Sequence, residues 1–183
     1  MRWLSWWRLR KRLVAASMVV LDVDGVLTDG GLWYGSDGEL IKRFDVRDGL
    51  GIRLLQQVGV EVAFLSGGRG GATEVRAQQL GVNHCLVGVK DKPAVLAVLC
   101  RQLGVSSSDL LFLGDDLNDL AVQGCVGALI ATADASLALR EQADAVLDSR
   151  GGYGAVRELS ERILRARGAW AELSRKGWRD RND

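Results

Sequence analysis

The chain reads as an α/β protein with a central parallel sheet and helices on both faces. Three observations predict this. Short apolar, β-branched segments recur between helical patterns along most of the 183 residues. Those segments are near-continuous apolar runs, as expected of strands buried on both faces. Several of them end in polar or glycine-rich turns, which places the reactive side chains at the carboxyl edge of the sheet.

The elements follow in order. SMVVLDV (17–23) reads as the first strand, GLGIRLLQQVG (49–59) as a helix and VEVAFLS (60–66) as a strand. ATEVRAQQLG (72–81) is helical and NHCLVG (83–88) a short strand. DKPAVLAVLCRQLG (91–104) is a helix with its proline in the first turn, where a missing N–H costs little. DLLFLG (109–114) is a strand, DLNDLAVQG (116–124) a short helix and CVGALIA (125–131) a strand. SLALREQA (136–143), DAVLDS (144–149) and YGAVRELSERILRARG (153–168) complete the pattern as helix, strand and helix. Between the first strand and first main helix, GGLWYGSDGELIKRFDV (30–46) has a turn at SDG flanked by Leu32–Tyr34 and Leu40–Phe44. This is a projecting β-hairpin. A lone hairpin is marginal, so Trp33, Tyr34 and Phe44 are expected to pack on another subunit or to fold back as a lid.

One main domain, residues 17–168, is expected between a basic, Trp-rich extension (1–16) and a basic tail (169–183). Residues 1–13 carry five basic and no acidic side chains, and residues 162–183 carry seven basic and three acidic. The body between them holds twelve basic and twenty acidic groups, which argues against nucleic-acid binding. The opening MRWLSWWRLRKRLVAAS reads as an amphipathic helix packed on the body or a partner, with a loose membrane-interface contact as the other reading. It does not read as a secretory signal. Its tryptophans precede the basic cluster, and the apolar run LVAASMVVL is stopped by Asp22, too short to span a bilayer. Cysteines 85, 100 and 125 are widely spaced in apolar surroundings and read as buried free thiols in a reducing compartment.

The chemistry lies in VVLDVDGVLTDG (19–30) and GDDLND (114–119). Asp22 and Asp24 stand where a strand becomes a loop, and Gly25 permits a tight turn there. Asp115 and Asp116 end another strand, with Asp119 one turn on. Carboxylates from two strands can meet only if a cation or proton offsets their repulsion. Hard oxygen ligands without a histidine cluster point to magnesium. His84, the one histidine, falls inside a strand pattern and reads as structural. A carboxylate beside magnesium can attack phosphorus, with metal and lysine offsetting the anionic repulsion. On this reading Asp22 attacks and Asp24 handles protons.

These pieces, in this order, resemble the haloacid-dehalogenase-type phosphatases. DVDGVLTD is similar to their first motif, LSGG stands at the second, Lys92 in KDK at the third and GDDLND at the fourth. FDVRDGLGIRLL, QQLGV, ADA and GGYGAVREL resemble more narrowly the capless branch that hydrolyses 3-deoxy-D-manno-octulosonate 8-phosphate (KDO 8-phosphate), over about residues 17–167. The resemblance implies a three-layer, Rossmann-like fold and a phosphoaspartyl mechanism. It implies Asp22 as nucleophile, Asp24 as general acid/base and Lys92 as charge neutraliser. Magnesium would be held by Asp22, the Asp24 backbone carbonyl and Asp115, with Asp116, Asn118 and Asp119 in support. Ser66 and the Gly67 amide would take phosphate oxygens, and Arg47 a substrate or interface contact. It further implies a homotetramer with hairpins between subunits, a phosphorylated acidic sugar as substrate, and a cytoplasmic role in lipopolysaccharide synthesis.

The chain departs from that branch twice. Its second motif is SGGR, with Gly68 where the branch has arginine and Arg69 one place later. Its tail motif has Tyr153 where the branch often has arginine. Both changes remove positive charge, and neither tyrosine nor glycine can make a bidentate carboxylate contact. Arg69 or Lys90 is available to compensate. The phosphoryl-transfer set is untouched, while the substrate stays open between KDO 8-phosphate and another acidic, sialic-acid-type sugar phosphate. A non-catalytic, metal-stabilised assembly protein is the reading from a different class.

Overall fold

In a computed structural model of the chain, residues 2–38 and 40–177 are described, with side chains from Ser5 onward. The elements run α1 (Arg2–Ala15), β1 (Met18–Leu21), β2 (Trp33–Tyr34), β3 (Leu40–Ile41), α2 (Val46–Gln57), β4 (Glu61–Leu65), α3 (Ala72–Leu80) and β5 (His84–Leu86). They continue as α4 (Lys92–Leu103), β6 (Leu110–Gly114), β7 (Ala128–Ala131), α5 (Leu137–Gln142), β8 (Ala145–Val146), α6 (Ala155–Ala166) and α7 (Trp170–Lys176). Six strands form one sheet in the order β5-β4-β1-β6-β7-β8, and each neighbouring pair is parallel. β2 and β3 form a separate antiparallel pair.

β1 lies inside the sheet between β4 and β6 and is fully buried. Its alternation divides the core. Val19 and Leu21 pack into one layer with Leu9 and Leu13 of α1, Ile52 and Leu55 of α2, and Leu159 and Ile163 of α6. Met18 and Val20 pack into the other with Leu96 and Leu99 of α4 and Leu139 of α5. The apolar face of α1 is thus buried on the body, where Trp6 also lies under Arg162 at 4.1 Å. On α6, the apolar stripe faces inward while Arg157–Glu161 and Arg162–Glu158 pair along the helix. Gly51 allows α2 and α6 to approach closely, because a Cβ there would stand 2.9 Å from the Arg157 Cα.

The differences from expectation have local causes. α2 begins at Val46 rather than 49, because Asp45 caps it by accepting the Arg47 N–H at 2.7 Å. The predicted helix at 116–124 is a 3₁₀ segment, Leu117–Val122, whose first turn is tied back by Asp116 and Asp119. α6 begins at Ala155, after Gly154 takes φ 101°, and β7 begins only at Ala128. The expected tail contains α7, while residues 178–183 lie outside the described residues. The cysteines are free, but Cys85 and Cys100 are half-buried and Cys125 is exposed. The buried reading fails for Cys125, which follows the Gly124 turn rather than lying in a strand. Among the described residues, no helix is long and apolar enough to cross a membrane.

Candidate active site

β1, β4 and β6 deliver the candidate residues to the carboxyl edge of the sheet. Asp22 follows β1 and is buried, its backbone N–H held by the Leu113 carbonyl of β6 at 3.0 Å. The chain then turns tightly, with the N–H groups of Val26, Leu27 and Thr28 all directed at the Val23 carbonyl. Gly25, at φ 91°, passes against Asp115, and a Cβ there would run into the Asp115 carboxylate. Only glycine satisfies both the backbone and the space. Asp115 itself follows β6.

Lys92 joins the two ends. It is the first residue of α4, whose N-cap Asp91 accepts the Ala94 N–H at 3.0 Å. Its Nζ donates to Asp22 at 2.6 Å and to Asp119 at 2.5 Å, and all three side chains are buried. Asp119 uses its other oxygen to accept the backbone N–H of Asp115 at 2.9 Å and of Asp116 at 3.4 Å. The four-residue spacing in GDDLND therefore lets one aspartate orient both the lysine and the loop bearing Asp115. Burial lowers the Lys92 ammonium's tendency to hold its proton, but Asp22 and Asp119 more than offset that and raise its pKa.

Asp22, Asp115 and Asp119 each place a carboxylate oxygen within 4.8 Å of the others. Burial, reinforced by Asp119, raises Asp22 to about 7 despite Lys92. Burial, reinforced by Asp22 and Asp119, raises Asp115 to about 8. Three carboxylates facing one ammonium carry more negative charge than they can hold in a buried space. A hard divalent cation fits this donor set. Lys92 engages both Asp22 and Asp119, and Asp119 also accepts two backbone N–H groups.

Ser66 is buried at the end of β4, and its Oγ accepts the Gly68 N–H at 3.0 Å. The backbone at Ser66 is fixed by β5, with its N–H on the Leu86 carbonyl at 2.8 Å. Gly67 and Arg69 are exposed in the following loop, as is Lys90. Asp116 and Asn118 are exposed at the 3₁₀ segment, where Asp116 accepts the Leu117 N–H at 2.7 Å. Arg47 forks onto Asp45 at 3.1 and 2.8 Å, and that hydrogen bonding holds the Asp45 carboxyl below its ordinary range. Tyr153 lies between two guanidinium groups, with Arg43 at 4.6 Å and Arg150 at 5.8 Å from its ring centre. His84 is half-buried in β5 and belongs to the sheet.

One residue of the site escaped the sequence reading. Lys42, just beyond β3, is buried and sets its Nζ 2.7 Å from one Asp24 oxygen and 2.9 Å from the other. The available signal was alternation. Ile41 and Arg43 are exposed while Leu40, Lys42 and Phe44 point inward, so a strand period of two turns Lys42 toward the body.

Comparison with known proteins agrees with this geometry. The family model for haloacid dehalogenase-like hydrolases matches residues 39–122. The 3-deoxy-D-manno-octulosonate 8-phosphate phosphatase KdsC of Haemophilus influenzae is 40% identical over 160 residues, spanning 87% of this chain and 89% of the relative. The Escherichia coli K12 protein of the same name is 40% identical over 151 residues, 82% of this chain and 80% of the relative. The crystal structure of the Moraxella catarrhalis phosphatase, in complex with magnesium, phosphate and KDO, superposes with a TM-score of 0.90 at 33% identity, covering 93% of this chain and 98% of that one. The cobalt-bound H. influenzae structure gives 0.84 at 40% identity, covering 87% and 94%. By fold, motif order and sequence identity, the chain belongs to the 3-deoxy-D-manno-octulosonate 8-phosphate phosphatase family of haloacid dehalogenase-like hydrolases.

Proposed function

We propose that this protein is a magnesium-dependent phosphomonoesterase that hydrolyses KDO 8-phosphate to the free sugar acid and phosphate. The observation that carries the reading is the Lys92 bridge between Asp22 and Asp119, beside Asp115, in a chain 40% identical to KDO 8-phosphate phosphatases. Asp22 attacks phosphorus and becomes a phosphoaspartate. Asp24 protonates the leaving alkoxide and then takes a proton from the water that hydrolyses the acyl phosphate. Lys92 lowers the charge on the nucleophile and the phosphate, and Ser66 Oγ with the Gly67 amide binds phosphate oxygens. Magnesium, held by Asp22, Asp115 and the Asp24 carbonyl, supplies further charge neutralisation when bound. Asp116 and Asn118 support that shell from the exposed side, and Arg47 and Arg69 are the cations available to the sugar acid.

The test is phosphate release from KDO 8-phosphate, sialic-acid-type 9-phosphates and simple sugar phosphates, with magnesium and with chelator. Preference for KDO 8-phosphate supports the reading. Preference for another acidic sugar phosphate keeps the mechanism and changes the substrate, an outcome to which Gly68 and Tyr153 give weight. A homotetramer joined through the hairpins is part of the same proposal. It is supported by the exposure of Trp33 (67%) and Tyr34 (68%), apolar surface that a second copy would cover. Sedimentation of wild type and Trp33→Ser tests it. A cytoplasmic role in envelope-sugar synthesis follows from the family's chemistry and stands or falls with the substrate.

A further inference from the structure

The hairpin delivers a buried cation to the proton-transfer aspartate. Lys42 Nζ straddles the Asp24 carboxyl group at 2.7 and 2.9 Å and reaches Thr73 Oγ1 of α3 at 3.5 Å. The Lys42 side chain is 1% exposed, whereas that of Asp24 is 33% exposed. The lysine is thus enclosed, while the carboxyl group it holds remains partly open to solvent. Burying an ammonium is costly, and a surface ion pair would contribute little, so this placement is more than a solvated contact.

Gly68 shapes the same corner. A Cβ at position 68 would stand 3.2 Å from Asp24 Oδ2, 3.2 Å from Ser66 Oγ and 3.8 Å from Lys42 Nζ. The ammonium therefore lies at the margin of the space into which a side chain at 68 would grow. A positive charge from the hairpin thus borders the space beside Gly68.

We infer that Lys42 is a positioning residue for Asp24, fixing its carboxyl group for proton transfer while Gly68 leaves room for the direct contact. The inference rests on the phosphatase reading above and deepens it. An ammonium can donate to the carbonyl oxygen of a neutral carboxyl group as well as to a carboxylate. Lys42 Nζ donates to Oδ2 at 2.9 Å and lies 2.7 Å from Oδ1, so one cation fixes the orientation of the whole carboxyl group. In the first half-reaction the Asp22–phosphorus bond forms, the phosphorus–alkoxide bond breaks, and the Asp24 proton passes to the alkoxide oxygen. In the second, water attacks the phosphoaspartate, its proton returns to Asp24, and the Asp22–phosphorus bond breaks. Lys42 makes and breaks no bond in either half. It keeps one rotamer of Asp24 through both.

The leaving group separates this role from a structural one. An alkoxide needs a proton as it leaves, and a nitrophenolate does not. Lys42→Met and Lys42→Gln, which keep the stem and remove the charge, are compared with wild type on KDO 8-phosphate and on p-nitrophenyl phosphate. Magnesium affinity and thermal melting are recorded alongside. The expected result is a loss of about 10²-fold or more in kcat on the alkyl ester with KM changed less than about threefold. The first turnover of nitrophenol release falls less than about fivefold, and magnesium affinity is retained. Equal loss on both esters, or no loss on the alkyl ester, overturns the inference. A wild-type protein that releases phosphate from neither ester overturns the phosphatase reading itself, and the inference with it.

Discussion

Asp48 on α2 caps α6 across 109 residues of sequence by accepting the Arg157 N–H at 2.8 Å, and it also takes the Gly154 N–H at 3.2 Å. Glycine at the N-cap offers α6 no side chain, and Asp48 takes its place. Burial raises the Asp48 pKa to about 6 despite those two N–H groups. A carboxyl group whose pKa is raised on folding contributes stability that is fully present below its unfolded value near 3.8 and is lost as pH rises through about 6. Asp48→Ala therefore destabilises the protein at every pH from 5 to 8. The difference from wild type is larger at pH 5 than at pH 7.5 by about 1 kcal/mol. Urea denaturation at the two pH values measures it, and a difference that grows with pH contradicts the burial-driven rise of the Asp48 pKa.

Lys92 is the one ammonium between Asp22 and Asp119 in the described structure. Removing it leaves two buried carboxylates facing each other. Lys92→Ala is expected to lose about 3–5 kcal/mol of stability and nearly all activity. Because a divalent cation restores part of the missing charge, saturating magnesium raises the melting temperature of this variant more than that of wild type. Differential scanning calorimetry with and without chelator checks both parts.

Protons and metal compete for the same carboxylates. Asp22 is raised to about 7 and Asp115 to about 8, so both are largely protonated at pH 6 and both must release protons to bind a cation. Magnesium affinity should rise by about tenfold or more between pH 6 and 8.5. Calorimetric titration in buffers of different ionisation enthalpy reports the affinity and the protons released. Affinity flat across that range contradicts the proposed ligands.

Gly25 is expected to be intolerant of substitution. Gly25→Ala forces a side chain onto a backbone at φ 91° and into the Asp115 carboxylate. The expected cost is about 1–3 kcal/mol of stability, with weakened magnesium binding as Asp115 is displaced. Thermal melting and metal titration of this variant check it.

The sheet and the aspartates were legible because both are local signals. A buried strand must be apolar along its length, and carboxylates at its end have no structural use. Helix starts were less legible. α2 begins three residues early because Asp45 supplies a cap, and the segment after Asp116 winds as 3₁₀ because Asp119 turns back to its own loop. Lys42 and Asp48 were missed because each acts on a segment brought near only by folding. Alternation in LIKRF turns Lys42 inward but does not name Asp24 as its partner, and nothing in VRDG announces a helix cap at Arg157. Tyr153 was read as a lost arginine. In the fold it lies against Arg43, so positive charge remains near that loop.

The most direct test of the central claim is the Asp22→Asn variant, assayed for magnesium-dependent phosphate release from KDO 8-phosphate beside wild type, with circular dichroism melting on both. The account predicts that turnover falls by at least about 10³-fold while the variant still folds and melts cooperatively. Turnover close to wild type in a folded variant would contradict Asp22 as the nucleophile, and with it the phosphoaspartyl mechanism.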